Sequence, residues 1–251
     1  NAFLGKSKIS KMTLDIFKNH NDKIAALVGK DFAPGTIERY CTAKKHVEAY
    51  IKKEYKVADI PIKKVDHAFI DGFEYYLKTE RDCAHNTAVK YITNFKKIVR
   101  IAFANDWIQK DPFLHWKGRL KIVDREFLTE SEIQQMLEKE ISNARLDQVK
   151  DIFLFSCFTG LAYADVKKLS NDNVVLGIDG EKWIKIKRSK TDTRSNIPIL
   201  PSAQAIIDKY AEHPAVLNGD RILPVLSNQK MNAYLKEIAD LCGINKNHTY
   251  H

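Results

Sequence analysis

The segment KIKRSKTDTRSNIPI, residues 185–199, contains five cations within its first ten residues: Lys185, Lys187, Arg188, Lys190 and Arg194. The apolar run IPIL follows at once, at 197–200. Cationic donors held in a fixed arrangement bind phosphates and stabilise the added negative charge of a phosphoryl-transfer transition state. A lysine at the tip of a hairpin can also protonate a leaving oxygen. The segment predicts a phosphate-directed site; a turn whose lysine contacts only phosphate or water is the alternative.

The sequence contains no motif for nucleotide binding or metal binding. It lacks GxxxxGK[ST], GxGxxG, HExxH, a CxxC or CxxH pair and an acidic cluster, so neither a nucleotide cradle, a metal site nor a cofactor is expected. The four cysteines are far apart, which predicts reduced thiols, and Cys157 lies in an apolar run that predicts a core position. No stretch approaches 18 apolar residues, so no membrane span is expected.

The net charge is concentrated in the first half of the chain. Residues 1–121 hold 24 Lys and Arg against 14 Asp and Glu, a net charge of +10. Residues 122–251 hold 17 against 18, a net charge of −1. A basic half joined to a near-neutral half predicts a polyanion-binding module attached to a second domain. A lysine-rich solubilising surface is the alternative that charge alone leaves open.

Helical periodicity runs through the first half. It predicts helices over 11–29, 33–55, 66–80 and 85–105, with Thr36 and Asp66 as caps of the second and third. In the fourth helix the apolar residues share one arc at 100° per residue: Val89, Ile92, Phe95, Val99, Ala102 and Phe103. That arc is expected to face a core.

The opposite arc of the fourth helix contains no acid. It holds three cations, two amides and a hydroxyl: Asn86, Lys90, Thr93, Asn94, Lys97 and Arg100. Exposed faces ordinarily mix both signs of charge, so this composition favours phosphate contact over a merely solvated face. The backbone N–H groups of His85, Asn86 and Thr87 at the helix start are expected to face a phosphate. The second helix is expected to extend this phosphate-binding surface through Arg39, Lys44 and Lys45.

The second half mixes helices with short strands. Thr129 and Glu132 have the spacing of a capping box, residues 146–158 predict a buried apolar helix, and a short helix follows Gly160. A strand–turn–strand pattern spans 173–187, and a third strand spans 196–200, with Ile197, Ile199 and Leu200 returning to the core. Helices are expected over 201–213 and 228–242. The predicted fold is mainly α with a small antiparallel sheet.

Two segments together resemble the tyrosine recombinase, or phage integrase, family: FSCFTGLAYADVKKLSNDNV (155–174) and WIKIKRSKTDTRSNIPIL (183–200). The stretch NTAVKYITNFKKIVRIAFANDWIQKDPF is similar to the family's core-binding domain. Integrases of conjugative transposons and genomic islands are the nearest branch. The resemblance implies a helical, SAM-like core-binding domain over 1–110, a linker over 111–125 and an α+β catalytic domain over 126–251. It implies DNA recombination and integration through a 3′-phosphotyrosyl intermediate, without a metal or cofactor.

The resemblance carries over unevenly to individual positions. Thr159-Gly160-Leu161 matches the first catalytic motif, but Ala162 stands where the family has an arginine. Asp165 fits the supporting acidic position, and Lys190 fits the hairpin lysine that acts as the general acid. His251 matches the first histidine of H-x-x-R. The second arginine, the following histidine and the tyrosine nucleophile have no match in these residues.

The departures define further expectations. Arg188 or Arg194 is expected to compensate for Ala162, and both are expected to contact DNA. The chain is expected to be a C-terminally truncated, inactive fragment of an active integrase. A non-catalytic DNA-binding relative is one alternative; a basic nucleic-acid-binding protein with an unrelated α+β domain is another. The expected partner is double-stranded DNA, with a tetramer on paired recombination sites and a monomer without DNA. The expected location is the bacterial cytoplasm, associated with the nucleoid.

Overall fold

Four long helices build the first of the two units into which the chain divides, Asn1–Val123 and Asp124–His251. The computed structural model of the protein describes residues 10–124, 126–246 and 249–250. The helices of the first unit are α1 (Thr13–Ala26), α2 (Pro34–Tyr55), α3 (His67–Thr79) and α4 (His85–Ala104), with a short 3₁₀ helix at Ile62–Lys64. None of the helices in the described ranges is long and apolar enough to cross a membrane.

The apolar arc of α4 forms the centre of the first core. Phe95 is fully buried and its ring lies 5.7–6.3 Å, between centroids, from the rings of Phe17, Phe69, Phe73 and Phe113. Edge-to-face and tilted pairs of this kind add to the burial of aromatic area. Phe103, which the sequence placed on the same arc, is 44% exposed because α4 ends one residue later.

The caps of two helices differ in how well the sequence predicted them. The Asp66 carboxylate accepts from the backbone N–H of Phe69 at 2.8 Å, which confirms it as the cap of α3. The prediction for Thr36 is wrong, because α2 begins at Pro34 and its N-cap is Ala33. Proline suits the first helical position, where its missing N–H costs no hydrogen bond.

The first part of the predicted linker is folded onto the first unit. Phe113 is 1% exposed and belongs to the same core as Phe95. The indole N–H of Trp116 donates to the Glu74 carboxylate at 2.9 Å. The chain contains no helix or strand here, but the buried aromatic side chains hold it in place.

The second unit consists of helices and one small sheet. The helices are α5 (Glu130–Glu138), α6 (Ala144–Thr159), α7 (Tyr163–Val166), α8 (Pro201–Tyr210), α9 (Pro214–Leu217) and α10 (Asn228–Leu241), with a 3₁₀ helix at Asn171–Asn173. Helix α6 is the central element, and Val149, Ile152 and Phe155 are fully buried on it. The core position predicted for Cys157 is wrong, because its position on α6 is exposed.

The sheet is antiparallel, in the order β1 (Val174–Leu176), β2 (Lys182–Lys187), β3 (Arg194–Pro198). Ile184 of β2 pairs with Ile197 of β3, and Ile184 is fully buried. Ile199 after β3 is also buried, as predicted, whereas Leu200 is 47% exposed because it is the N-cap of α8. The hairpin therefore rests on a packed base.

Glu132 is expected to make the second unit sensitive to acid. The hydrogen bond from Lys246, at 2.6 Å, and the backbone N–H of Thr129 in the predicted capping box lower the pKa of Glu132 to about 2. A lowered folded-state pKa stabilises the fold above the ordinary pKa of 4.5, and this stabilisation is lost as the pH falls towards 2. In urea titrations between pH 2 and 6, Glu132→Gln should lose less stability on acidification than the wild type. Glu130→Gln, on the same turn, is the control; a Glu132→Gln profile parallel to the wild type would contradict the expectation.

Candidate functional site

The cationic segment forms the tip of the β2–β3 hairpin. Lys187 pairs with Arg194 and Lys185 with Asn196 across the two strands, on the face opposite to the buried Ile184. The backbone N–H of Arg188 donates to the Thr193 carbonyl at 2.8 Å and closes the turn. Alternation along the strands thus directs one set of cations outward and one set of isoleucines inward.

Asp165 fixes this turn to the first catalytic-motif segment. Helix α6 ends at Gly160, whose φ of +63° suits glycine, and the chain enters α7 with Asp165 only 3% exposed. The Asp165 carboxylate accepts from the backbone N–H of Ser189 at 2.8 Å. The residue before Lys190 is therefore tied to a buried acid 24 positions away in the sequence.

A cleft of about 350 Å³ lies where these segments meet. Residues of four segments line it: Ala162, Tyr163, Ala164 and Asp165; Ser189 and Lys190; Asn228; and Tyr250. Lys190 is exposed there, so its ammonium group can reach a ligand in the cleft. The structure thus brings together three of the four predicted catalytic positions, Ala162, Asp165 and Lys190. The fourth, His251, lies outside the described residues.

Arg188 reaches the turn that precedes Ala162. Its Nε donates to the Ser195 hydroxyl at 3.1 Å, and one terminal nitrogen donates to the Gly160 carbonyl at 3.1 Å. A guanidinium group has five N–H donors in a planar fork, so these two contacts fix its orientation and leave others for a ligand. Arg194 is exposed on the outer face of the hairpin, beside Lys187.

Sequence reasoning gave no role to Asn228 and Tyr250. The Asn228 side-chain oxygen accepts a hydrogen bond from the Asn232 amide at 3.0 Å. The NH₂ group of Asn228 takes no part in this bond. Tyr250 is 2% exposed, its hydroxyl bonds Ser156, and its backbone N–H donates to Asn232 at 2.7 Å. Burial raises the pKa of the Tyr250 phenol. No local period in the sequence marks either residue, because their partners lie on other elements.

The acid-free arc of α4 is an exposed face of the first unit. Lys90, Lys97 and Arg100 are exposed on it, and the Asn94 amide donates to the Arg39 carbonyl of α2 at 3.5 Å. Burial lowers the pKa of nearby His20, and the charges of Lys97 and Lys23 lower it further. The face is therefore positive.

The α2 cations do not form one group. At 100° per residue, Arg39, Lys44 and Lys45 point in three different directions around the helix. Only Arg39 is tied to α4, through the Asn94 amide, whereas Lys44 lies 3.7 Å from Glu48. This contact places the Arg39 backbone beside the α4 face, and DNA contact by the three side chains stays a prediction.

Side chains at the start of α4 contact the chain segment that follows Trp116. The Asn86 side chain accepts from the backbone N–H of Lys121 at 2.8 Å and donates to its carbonyl at 2.9 Å. The Nε2–H of His85 donates to the Arg119 carbonyl at 2.8 Å. The backbone N–H of Thr87 donates to Ala84. The side chains of His85 and Asn86 thus hold residues 119–121, and phosphate binding at this helix start stays a prediction.

Comparisons with known proteins cover both units. Residues 12–120 match the phage integrase SAM-like domain. No curated protein sequence matches the chain. A lambda integrase dimer bound to a COC′ core site is similar in structure, with a TM-score of 0.74, 16% identity, and coverage of 95% of this chain and 81% of that one.

Two further solved structures are similar. The Tn1549 transposon integrase in complex with a circular intermediate DNA has a TM-score of 0.69 and 11% identity, covering 96% of this chain and 81% of that one. XerH site-specific recombinase bound to difH substrate has a TM-score of 0.64 and 13% identity, covering 94% and 69%. At these identities the similarity establishes the fold.

Proposed function

We propose that the protein to which this chain belongs binds double-stranded DNA and recombines it at specific sites; its match to the phage integrase SAM-like domain and its structural similarity to lambda integrase support this. Cleavage and rejoining proceed through a 3′-phosphotyrosyl intermediate. The observation that carries the proposal is the cleft in which Asp165 holds the Lys190 turn against the turn preceding Ala162. Catalysis is proposed for a protein in which a tyrosine nucleophile joins this cleft.

The proposed chemistry assigns one task to each group. The tyrosine, after losing its hydroxyl proton to solvent, bonds through its phenolate oxygen to phosphorus while the bond to the 5′ oxygen breaks. Lys190 donates an ammonium proton to the departing 5′ oxygen. Arg188 binds the phosphate oxygens, whose negative charge grows in the transition state. Asp165 positions Lys190 through Ser189. His251 donates to the same phosphate oxygens.

The proposed assembly follows the related structures. Lambda integrase has been solved as a tetramer bound to a Holliday junction. The structural alignment to it covers 98% of this chain, with a TM-score of 0.74. We propose that four copies of the present protein likewise act on paired sites, with a monomer in the absence of DNA. A location on the bacterial nucleoid belongs to the same proposal.

Ala162 favours one second candidate, a relative that binds DNA without cleaving it.

DNA binding is expected to depend on the α4 face. Lys90→Ala together with Lys97→Ala should weaken binding to duplexes of unrelated sequence and make the plot of log K against log [salt] shallower by about 1.8, because each lost phosphate contact contributes about 0.9. Fluorescence anisotropy between 50 and 300 mM salt measures the slope.

The matched control removes the same charge at a different place. Lys63 and Lys64 are exposed in the 3₁₀ helix, and Lys63 lines a groove with Phe103 at the far end of α4. Lys63→Ala with Lys64→Ala should leave the slope near the wild-type value. An unchanged slope in the Lys90/Lys97 variant would count against the α4 face, and a wild type that does not bind DNA would overturn the proposed function.

A further inference from the structure

The segment Lys117–Lys121 is anchored at both ends on the first unit. Trp116, just before it, is held by the Glu74 carboxylate and packs edge-on to Phe113. Gly118 lies so close to the Trp116 ring that a Cβ there would be 1.9 Å from it. At the other end Asn86 makes two hydrogen bonds to the backbone of Lys121. The segment is therefore fixed in place although it contains no helix or strand.

These anchors use only the backbone of the segment. His85 bonds the Arg119 carbonyl, and Asn86 bonds the Lys121 N–H and carbonyl. The side chains of Lys117, Arg119 and Lys121 are all exposed. Two side chains of α4 thus fix the course of the chain and leave its three cations free to contact a ligand.

The charged residues of the segment and of the outer α4 arc are all cations, and the nearby Glu74 carboxylate is paired with Lys78 and the Trp116 indole. Residues 112–123 contain no Asp or Glu, and the outer arc of α4 also contains none. Asn86 lies on that arc one turn before Lys90, so Arg119 and Lys121 continue the positive face past the end of the helix. Without acids to neutralise it, such a surface attracts a polyanion over an extended length.

We infer that Lys117, Arg119 and Lys121 form a second phosphate-binding strip, which His85 and Asn86 align with the α4 face. The partner is the sugar–phosphate backbone of duplex DNA, so this inference rests on the proposed function. Asn86 is a positioning residue here: it contributes to affinity by placing the cations beside it. Backbone contacts of this kind orient a protein on DNA and carry no sequence information.

The test replaces all three cations with glutamine in the full chain. The plot of log K against log [salt], measured with a 30-base-pair duplex of arbitrary sequence, should become shallower by about 2.7 for three lost contacts. Lys63→Gln, Lys64→Gln and Lys110→Gln together remove the same charge, and Lys63 and Lys110 line the groove at the opposite end of α4. This control should keep the wild-type slope.

A second measurement tests the positioning role of Asn86. Asn86→Ala removes no charge, yet it should weaken DNA binding in the wild-type background. In the triple-glutamine background it should have no further effect, because the cations it positions are already gone. A direct contact between Asn86 and DNA would instead give additive losses in both backgrounds.

The outcomes separate the two proposals. A wild type that binds DNA, with test and control variants of equal slope, overturns the phosphate-binding strip and leaves the proposed function standing. Additive effects of Asn86→Ala overturn its positioning role. A wild type without affinity for DNA overturns both proposals.

Discussion

Replacing Lys190 with alanine is expected to reduce the rate of DNA strand cleavage by about 10²- to 10⁴-fold, the range over which a positioned general acid contributes. The measurement uses a protein that carries the chain together with its tyrosine-bearing segment. The 5′ oxygen is a poor leaving group near neutral pH, so losing the proton donor slows departure. Asp165 fixes the turn through Ser189, so the lysine is presented to the cleft on a restrained backbone.

A sulfur-substituted substrate separates this role from phosphate binding. When the leaving 5′ oxygen is replaced by sulfur, the thiolate departs without protonation, and Lys190→Ala should regain most of the wild-type rate. Lys185→Ala, on the outer face of the same hairpin, is the control and should show no selective rescue by sulfur. If the sulfur substrate fails to restore cleavage by Lys190→Ala, Lys190 is not the general acid.

Replacing Arg188 with alanine is expected to lower kcat for cleavage by about 10²- to 10³-fold, comparable to removing one donor that stabilises an oxyanion. Ser195 and the Gly160 carbonyl hold its guanidinium group beside the turn where the family arginine is missing. Arg188→Lys should recover little of the loss, because a point charge on a flexible stem does not reproduce the planar fork.

Restoring an arginine at the family position gives the decisive comparison. Ala162 lines the cleft, so Ala162→Arg in the Arg188→Ala background should recover part of the cleavage rate. Arg194→Ala, on the exposed outer face of the hairpin, serves as the control and should affect DNA binding more than kcat. A wild-type kcat in Arg188→Ala would show that Arg188 does not compensate for Ala162.

Predictions from the local sequence pattern agreed best with the structure where the residues concerned all lie in one helix or at its end. The burial of the α4 arc, the Asp66 cap and the Thr129–Glu132 capping box each depend on residues within a few turns of one another. They were confirmed because a helix places residues at fixed angles. The predictions for Thr36, Cys157 and Leu200 were wrong. Periodicity does not specify the residue at which a helix begins, which decided Thr36 and Leu200, and it did not specify that the position of Cys157 on α6 is exposed.

The candidate site divides in the same way. The sequence itself determined the cationic hairpin, the acid-free face of α4 and the concentration of positive charge in the first half, because composition and alternation are local properties. Only the tertiary structure decided the partners of these groups. Asp165 meets Ser189 across 24 positions, Arg188 meets Gly160 across 28, and Asn86 meets Lys121 across 35. Such hydrogen bonds form only when packing brings separate backbone segments within about 3 Å, and no local period encodes that distance.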